Sequence, residues 1–288
     1  VERRMAEKDV YTSDLALPAS LKAMEMAGIT ASDLDLIVFA TITPDTQCPA
    51  AACWLQYKLN AKQAPAFDVG AACSGFVFGL SVAEQYLKAG TAKTVLMVAA
   101  EIMTRTLNYK DRNTCILWGD GAGAVVMQMI DDDRRGILST HLHSDGTSGT
   151  KLQMPGGGSM TTPISYESVD KDLHTLKMNG PDSFKIAVRA FSDVSIQALE
   201  HNGYTINDLD LLIPHQANLR IIEAVARRVK LPMEKIYITI HKYGNMSAAS
   251  IAVALDEAVR TAAIKPDNLV LFSAFGGGLT WGSSLVRW

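Results

Sequence analysis

The sequence predicts an α/β fold built from two similar halves. Three features predict it. Two long stretches repeat at a fixed distance. Small-residue turns separate apolar strands from amphipathic helices. Each half closes on a glycine-rich turn and an apolar strand. The stretch "AMEMAGITASDLDLIVFA" begins at Ala23, and "ALEHNGYTINDLDLLIPH" begins at Ala198, 175 residues later. "TVLMVAA" at Thr94 and "LVLFSAF" at Leu269 stand at the same distance of 175. A long-period repeat marks duplicated architecture. A repeated strand–helix–strand unit makes each copy an α/β layer.

The elements follow in order. Each half gives a helix end, a glycine stop, a turn holding Asp-Leu-Asp-Leu and an apolar strand. In the first half "APAFDV" reads as a buried strand and "GAACSGF" as a tight turn. "GFVFGLSVAEQYLKAG" then reads as an amphipathic helix stopped by Gly90. "TVLMVAA" is the next strand, and "GDGAGAVVMQM" closes the half. The charged run "DDDRRG" is the join, a solvated turn that divides residues 1–130 from 131–288. His141 and His143 in "STHLHSDG" alternate like one face of a strand and read as structural. The second half runs through "LDLLI", a helix from about Asn218, a further strand, the turn "GNMSAAS" and its helix. It ends on "LVLFSAF" and "GGGLTWGSSLVRW". Adding the repeat distance to Cys73 gives Ala248, so the matching turns carry Cys73 in one half and Asn245 in the other. Divergence at one equivalent junction points to an asymmetric site between the halves.

Composition narrows the function classes. A chain of 288 residues with 48% apolar content buries a substantial core without disulfides or a structural metal. None of the four cysteines forms a C-x-x-C pair, and such usage fits a reducing cytoplasm. Cys53 and Cys115 read as small buried hydrophobes. Lys and Arg number 27 against 30 Asp and Glu, a balance of −3 that argues against a general nucleic-acid binder. No apolar run reaches the ~18 residues of a membrane helix. The opening "VERRMAEKDV" lacks the apolar region of a signal peptide, so neither membrane nor export is expected.

Four local patterns carry chemistry. Cys73 sits between a strand and a helix, where unpaired N–H groups favour an anion, so its thiol pKa is expected to fall. Gly70, Ala71, Ala72 and Gly75 leave space for a sharp turn and a substrate carbonyl. A buried structural thiol fits the same residues. In "LLIPHQANLRI" a proline ends a strand and His215 follows, at the strand terminus where α/β folds place their sites. A capped loop histidine fits as well. Asn245 in "HKYGNMSAAS" reads as a turn or cap residue by itself. Its place opposite Cys73 in the repeat gives it a second reading. The glycines of "AFGGGLTWG" free backbone N–H groups that suit an oxyanion hole, or an ordinary tight turn.

Taken together, "DVGAACSGF", "PHQANLRI", "GNMSAAS" and "AFGGGLTWGS" resemble the signatures of β-ketoacyl-acyl-carrier-protein synthase III, the initiating condensing enzymes of type II fatty acid synthesis. They fall in that family's order and spacing. The likeness runs from "MAGI" to the terminal "LVRW" and includes "GDGAGA" and "STHLHSDG". It implies the thiolase-like fold, two pseudo-duplicated α/β halves in a five-layered αβαβα arrangement, usually as a homodimer. It implies a cytoplasmic acyltransferase that needs no cofactor, with acyl-CoA and acyl carrier protein as substrates and partners.

The resemblance also assigns roles. Cys73 is acylated by a short acyl-CoA and releases CoA. His215 and Asn245 then hold the enolate formed when malonyl-acyl-carrier protein loses CO2, and the carbanion attacks acyl-Cys73. The N–H groups of Cys73 and Gly277 form the oxyanion hole. Arg112 matches the arginine that stacks on the CoA adenine, and Asn218 and Phe275 match substrate-tunnel positions. Arg220 belongs to a basic helix face that docks the acidic carrier protein, with Arg227 seven residues on. Cys48 stands where many relatives place a larger residue that closes the acyl pocket, so a roomier pocket is expected. The family ordinarily begins with a further strand, helix and loop before "ERRMA", so part of the CoA clamp is expected outside this sequence.

Overall fold

The computed structural model describes residues 2–132, 134–161 and 164–288, apart from the side chains of 181–183. Two four-stranded sheets organise the chain. The first holds β1 (Leu36–Ala40), β2 (Ala66–Val69), β3 (Thr94–Ile102) and β4 (Asp120–Gln128) in the order β2-β1-β3-β4. Strands β1, β2 and β3 run parallel, and β4 returns antiparallel to β3. The second sheet holds β5 (Gly136–Ser144), β8 (Leu211–Pro214), β9 (Leu269–Gly276) and β10 (Thr280–Arg287) in the order β5-β10-β9-β8. There β8 and β9 are parallel, and β10 is antiparallel to both of its neighbours. A small ribbon joins β6 (Leu152–Gln153) to β7 (Lys177–Met178).

Helices fill three layers around the sheets. Strand alternation dictates this, because both faces of β1, β3 and β9 are apolar and both must be covered. Val95, Met97 and Ala99 of β3 point into one core, and Leu96, Val98 and Ala100 into another. The first of these cores lies between the sheets. It holds α3 (Gly75–Lys88) and α8 (Ala249–Arg260), with Phe76 meeting Phe272 edge-on at 5.9 Å. Helices α1 (Thr12–Ala27) and α2 (Ala51–Leu59) cover the outer face of the first sheet. Helices α5 (Gly180–His201) and α6 (Leu219–Val229) cover the second. Two short helices, α4 (Tyr166–Asp170) and α7 (Ile240–Tyr243), lie in connections. The order is therefore helix, sheet, helix, sheet, helix.

The repeat is visible atom by atom. Asp33 Oδ2 accepts from Thr30 N and Oγ1, and Asp208 Oδ2, 175 residues on, accepts from Thr205 N and Oγ1. Asp35 Oδ2 accepts from Thr94 N at 2.9 Å, and Asp210 Oδ2 accepts from Leu269 N at 2.7 Å. In each half the first aspartate of Asp-Leu-Asp-Leu closes a 3-10 turn, and the second fastens the next strand.

Three expectations need correction. The strand expected before "GNMSAAS" is reduced to an isolated bridge between Leu212 and Ile236. Gln216 Oε1 takes the N–H groups of Thr239 and Ile240, which a ladder would otherwise use, and the chain turns into α7. Cys53 is exposed, because the buried face of α2 is Ala51, Ala52, Leu55 and Leu59. Cys115 is half-buried in the connection between β3 and β4 and directs its thiol towards Tyr109 O. His141 and His143 lie on β5 as expected, and Asp133 of the join is outside the described residues.

Candidate active site

The site is built where the parallel strands end. After β2 the chain makes a 3-10 turn, Ala72–Ser74, and enters α3. Ala72 holds φ +45°, which swings Cys73 inward at the elbow. The elbow is fastened to β10, since Ser74 Oγ donates to Thr280 O at 2.9 Å and Thr280 Oγ1 donates to Ala71 O at 3.0 Å. The end of β9 presses against it: a Cβ on Gly276 would stand 2.7 Å from Cys73 N. No side chain fits there, so Gly276 is required for the end of β9 to approach the elbow.

Cys73 and Gly277 share a cavity of about 220 Å³ with Ala72, Met103, Trp118, Leu152 and Leu176 among its walls. The walls are mostly apolar. Among the described residues, no loop or turn hydrogen bond takes up the N–H of Cys73 or of Gly277.

Asn245 reaches the same neighbourhood from the other half. It forms an isolated bridge with Trp118, donating through its N–H to Leu117 O and accepting from Gly119 N. Its Oδ1 accepts from Ser247 N at 2.9 Å, which fixes the amide and leaves Nδ2 as the group to present. Ser247 holds φ +48°, and its distance from Ala72 in the chain is again 175 residues. The two elbows of the duplicated halves thus share a left-handed residue, and Ala248 Cβ lies 3.0 Å from where Gly75 would carry one.

His215 follows β8, with its N–H on Ser273 O of β9 at 2.8 Å. The side chain is buried, and its Nδ1 makes no hydrogen bond to protein. Burial pushes its pKa down to about 3, so the imidazole is neutral across the physiological range. Burial also pushes the Cys73 thiol up to about 12. This overturns the expected fall: the helix start is outweighed by loss of water around the sulfur, and the resting group is a thiol.

The remaining expected residues spread outward. His215, Asn245, Phe275, Asn218, Arg112, Arg220 and Cys48 do not wall the 220 Å³ cavity. Phe275 packs in the outer core beside α5, tilted on Phe191 at 6.4 Å. Asn218 caps α6 by accepting from Ile221 N at 3.1 Å. Arg112, Arg220 and Arg227 are exposed, and Arg228 is drawn to Asp193 at 3.2 Å. Cys48 is an exposed free thiol. Sequence reasoning missed Trp118, Met103, Leu152 and Leu176, because chain spacing does not show that the 103–119 connection and β6 fold over the elbow. It also passed over Ser247, although the repeat distance to Ala72 could have found it.

Comparison with known proteins adds a family. The 3-oxoacyl-[acyl-carrier-protein (ACP)] synthase III family matches residues 67–146, and its C-terminal family matches residues 199–288. The chain is 50% identical over 287 residues to a beta-ketoacyl-[acyl-carrier-protein] synthase III of Caldanaerobacter subterraneus subsp. tengcongensis, covering 100% of this chain and 86% of that one. It is 50% identical over 287 residues to the enzyme of that name from Clostridioides difficile, covering 100% and 87%. The crystal structure of 3-oxoacyl-[acyl-carrier-protein] synthase III from Aquifex aeolicus superposes with a TM-score of 0.91 at 40% identity, over 99% of this chain and 87% of that one.

Proposed function

The chain belongs to the β-ketoacyl-acyl-carrier-protein synthase III family, and on that premise we propose how its own residues divide the work. The fold is thiolase-like, and the activity is that of an acyltransferase that initiates fatty acid synthesis by condensation. We take 1–130 and 131–288 as the two halves, the first giving the nucleophile and the second giving its partners.

Cys73 takes the acyl group. Its sulfur bonds to the acyl-CoA carbonyl carbon, the carbon–sulfur bond to CoA breaks, and the thiol proton leaves with CoA as its free thiol. The N–H groups of Cys73 and Gly277 hold the oxyanion in an apolar cavity, where such donors count most. Malonyl-acyl-carrier protein then loses CO2. The enolate oxygen is held by His215 Nε2–H and Asn245 Nδ2. A neutral imidazole suits this task, because it donates without becoming an acid itself. The enolate carbon bonds to the acyl carbon, the bond to Cys73 breaks, β-ketoacyl-carrier protein leaves, and the Cys73 thiolate takes a proton from solvent to restore the thiol.

Outside the cavity, Arg112, Asn218 and Phe275 serve CoA and its pantetheine arm. Arg220 meets the carrier protein. Cys48 borders the acyl pocket at an interface between two copies of the chain. The half-buried edge strand β2 supports that homodimer. Neither cofactor nor metal takes part in these steps. No described helix is long and apolar enough to cross a membrane, and a cytoplasmic setting is proposed with it. Neither membrane nor nucleic acid is among the proposed partners.

The observation that carries these assignments is the elbow: one buried cysteine beside Gly277, backed by the asparagine turn of the other half. Intact-protein mass spectrometry tests it. Acyl-CoA should add one acyl group at Cys73, and malonyl-carrier protein should then discharge it as a β-ketoacyl product. His215→Ala and Asn245→Ala should still be acylated but condense about 10²–10³-fold more slowly, the usual effect of losing one such donor. Condensation at the normal rate in either variant would overturn its role.

A further inference from the structure

The condensation steps leave two buried polar atoms beside the nucleophile without a task. Glu101, near the end of β3, is fully buried. Its Oε2 accepts from Thr41 Oγ1, Ile42 N and Thr43 N, each at 3.1 Å, and from Thr43 Oγ1. Its Oε1 is buried with no hydrogen bond of good geometry. Ser247 Oγ is in the same condition. Two adjacent orphaned oxygens next to a catalytic sulfur call for a reason, since such groups are ordinarily paired.

Packing brings both to the thiol. Glu101 stands opposite Gly121 in the β3–β4 ladder. A Cβ on Gly121 would collide with Met246, so the 246–247 turn lies over Glu101. Ala248, the next residue, abuts the Cys73 elbow at Gly75. Ser247 is thereby placed between the Glu101 position and the Cys73 elbow, where its hydroxyl acts on both the thiol and the carboxyl. Both approaches are looser than an ideal hydrogen bond.

We propose that Glu101 and Ser247 form a positioning pair for the nucleophile: Glu101 Oε1–H donates to Ser247 Oγ, and this aims the serine O–H at Cys73 Sγ. Burial raises the Glu101 carboxyl above its ordinary pKa, a direction that favours the protonated form the pair requires. The four donors on Oε2 leave that proton the Oε1 side. A hydroxyl donated to sulfur favours the thiolate that forms during attack, against the burial that opposes it. Glu101 is the titratable neighbour whose charge acts on the sulfur, and an ionised Glu101 would hinder the thiolate. Cys115 packs against the same apolar cluster, and His215 is held neutral. Neither member of the pair touches substrate.

The proposal rests on Cys73 being the acylated group. The two ideas separate by measurement: acyl transfer from acyl-CoA tests the nucleophile, and alkylation tests the pair. The pH dependence of Cys73 alkylation by iodoacetamide is followed in the intact chain by peptide mass spectrometry. Ser247→Ala should slow alkylation at pH 8 by about 3–10-fold and move its profile upward. Glu101→Gln, which keeps a donor and an acceptor, should follow the wild type, whereas Glu101→Leu should behave like Ser247→Ala. A Ser247→Ala profile that overlays the wild type would overturn the pair. So would a Glu101→Gln profile shifted either way. Should Glu101→Leu not fold, Ser247→Ala and Glu101→Gln decide alone.

Discussion

His215 sets a pH dependence that can be worked out from its surroundings. In the folded chain its pKa is about 3, against an ordinary value of 6.5. The unfolded chain therefore binds a proton between these values and the folded chain does not. Stability from this residue is complete above pH 6.5 and falls as the pH drops towards 3. The expected loss between pH 8 and pH 5 is about 2 kcal/mol. Glu101 acts with the opposite sign. Its folded pKa is raised above 4.5, so it costs stability as pH rises beyond that value. Urea unfolding from pH 5 to 8 should show a weaker acid-side slope in His215→Asn than in the wild type. Equal slopes would mean that the imidazole is protonated within the fold. This residue was legible in the sequence by its position after Pro214. Its neutrality was not, because the strand it lies against, β9, is far along the chain. The same limit explains the wrong direction foreseen for Cys73: a helix start is local, and desolvation is not.

At the level of elements, the chain announces what local chemistry decides. The paired Asp-Leu-Asp-Leu turns were readable because each aspartate bonds residues in or near its own turn, or the strand beside it. The strand before "GNMSAAS" was misread because Gln216, from another segment, captures its N–H groups. The glycine triplet was read as a source of free N–H groups, yet its first member serves another purpose. Gly276 clears the way for Cys73 N, and the obstruction met by a Cβ at 2.7 Å is backbone, which cannot swing aside. Gly276→Ala should therefore push β9 and the elbow apart, destabilise the fold by about 1–3 kcal/mol and cut acylation at least tenfold. Paired urea titrations and acylation rates check this. A variant with normal stability and normal acylation would show that the elbow is looser than its packing indicates.

At the scale of the whole molecule, charge and architecture separate two substrates that one thiol must serve. The net charge of −3 repels an acidic carrier protein in general, so docking needs a local exception. On the proposed reading, helix α6 supplies one. Ile221, Ile222, Val225, Ala226 and Val229 bury its inner face, and Arg220 and Arg227 remain on the outside without an acidic partner among the described residues. The helix begins just after His215, so a carrier seated on this face would hold its arm near the end of β8, beside the proposed enolate site. Acyl-CoA carries its own phosphates and does not depend on that seat. Arg220→Glu combined with Arg227→Glu should therefore raise the KM for malonyl-carrier protein about 10-fold or more while the acylation of Cys73 by acyl-CoA stays within twofold. The defect should shrink as salt rises from 0.05 to about 0.5 M, because screening weakens attraction and repulsion alike. Steady-state rates with each substrate varied in turn measure both. Equal loss with the two substrates would place the arginines in the fold rather than in the dock, and an unchanged carrier KM would move the dock to another face.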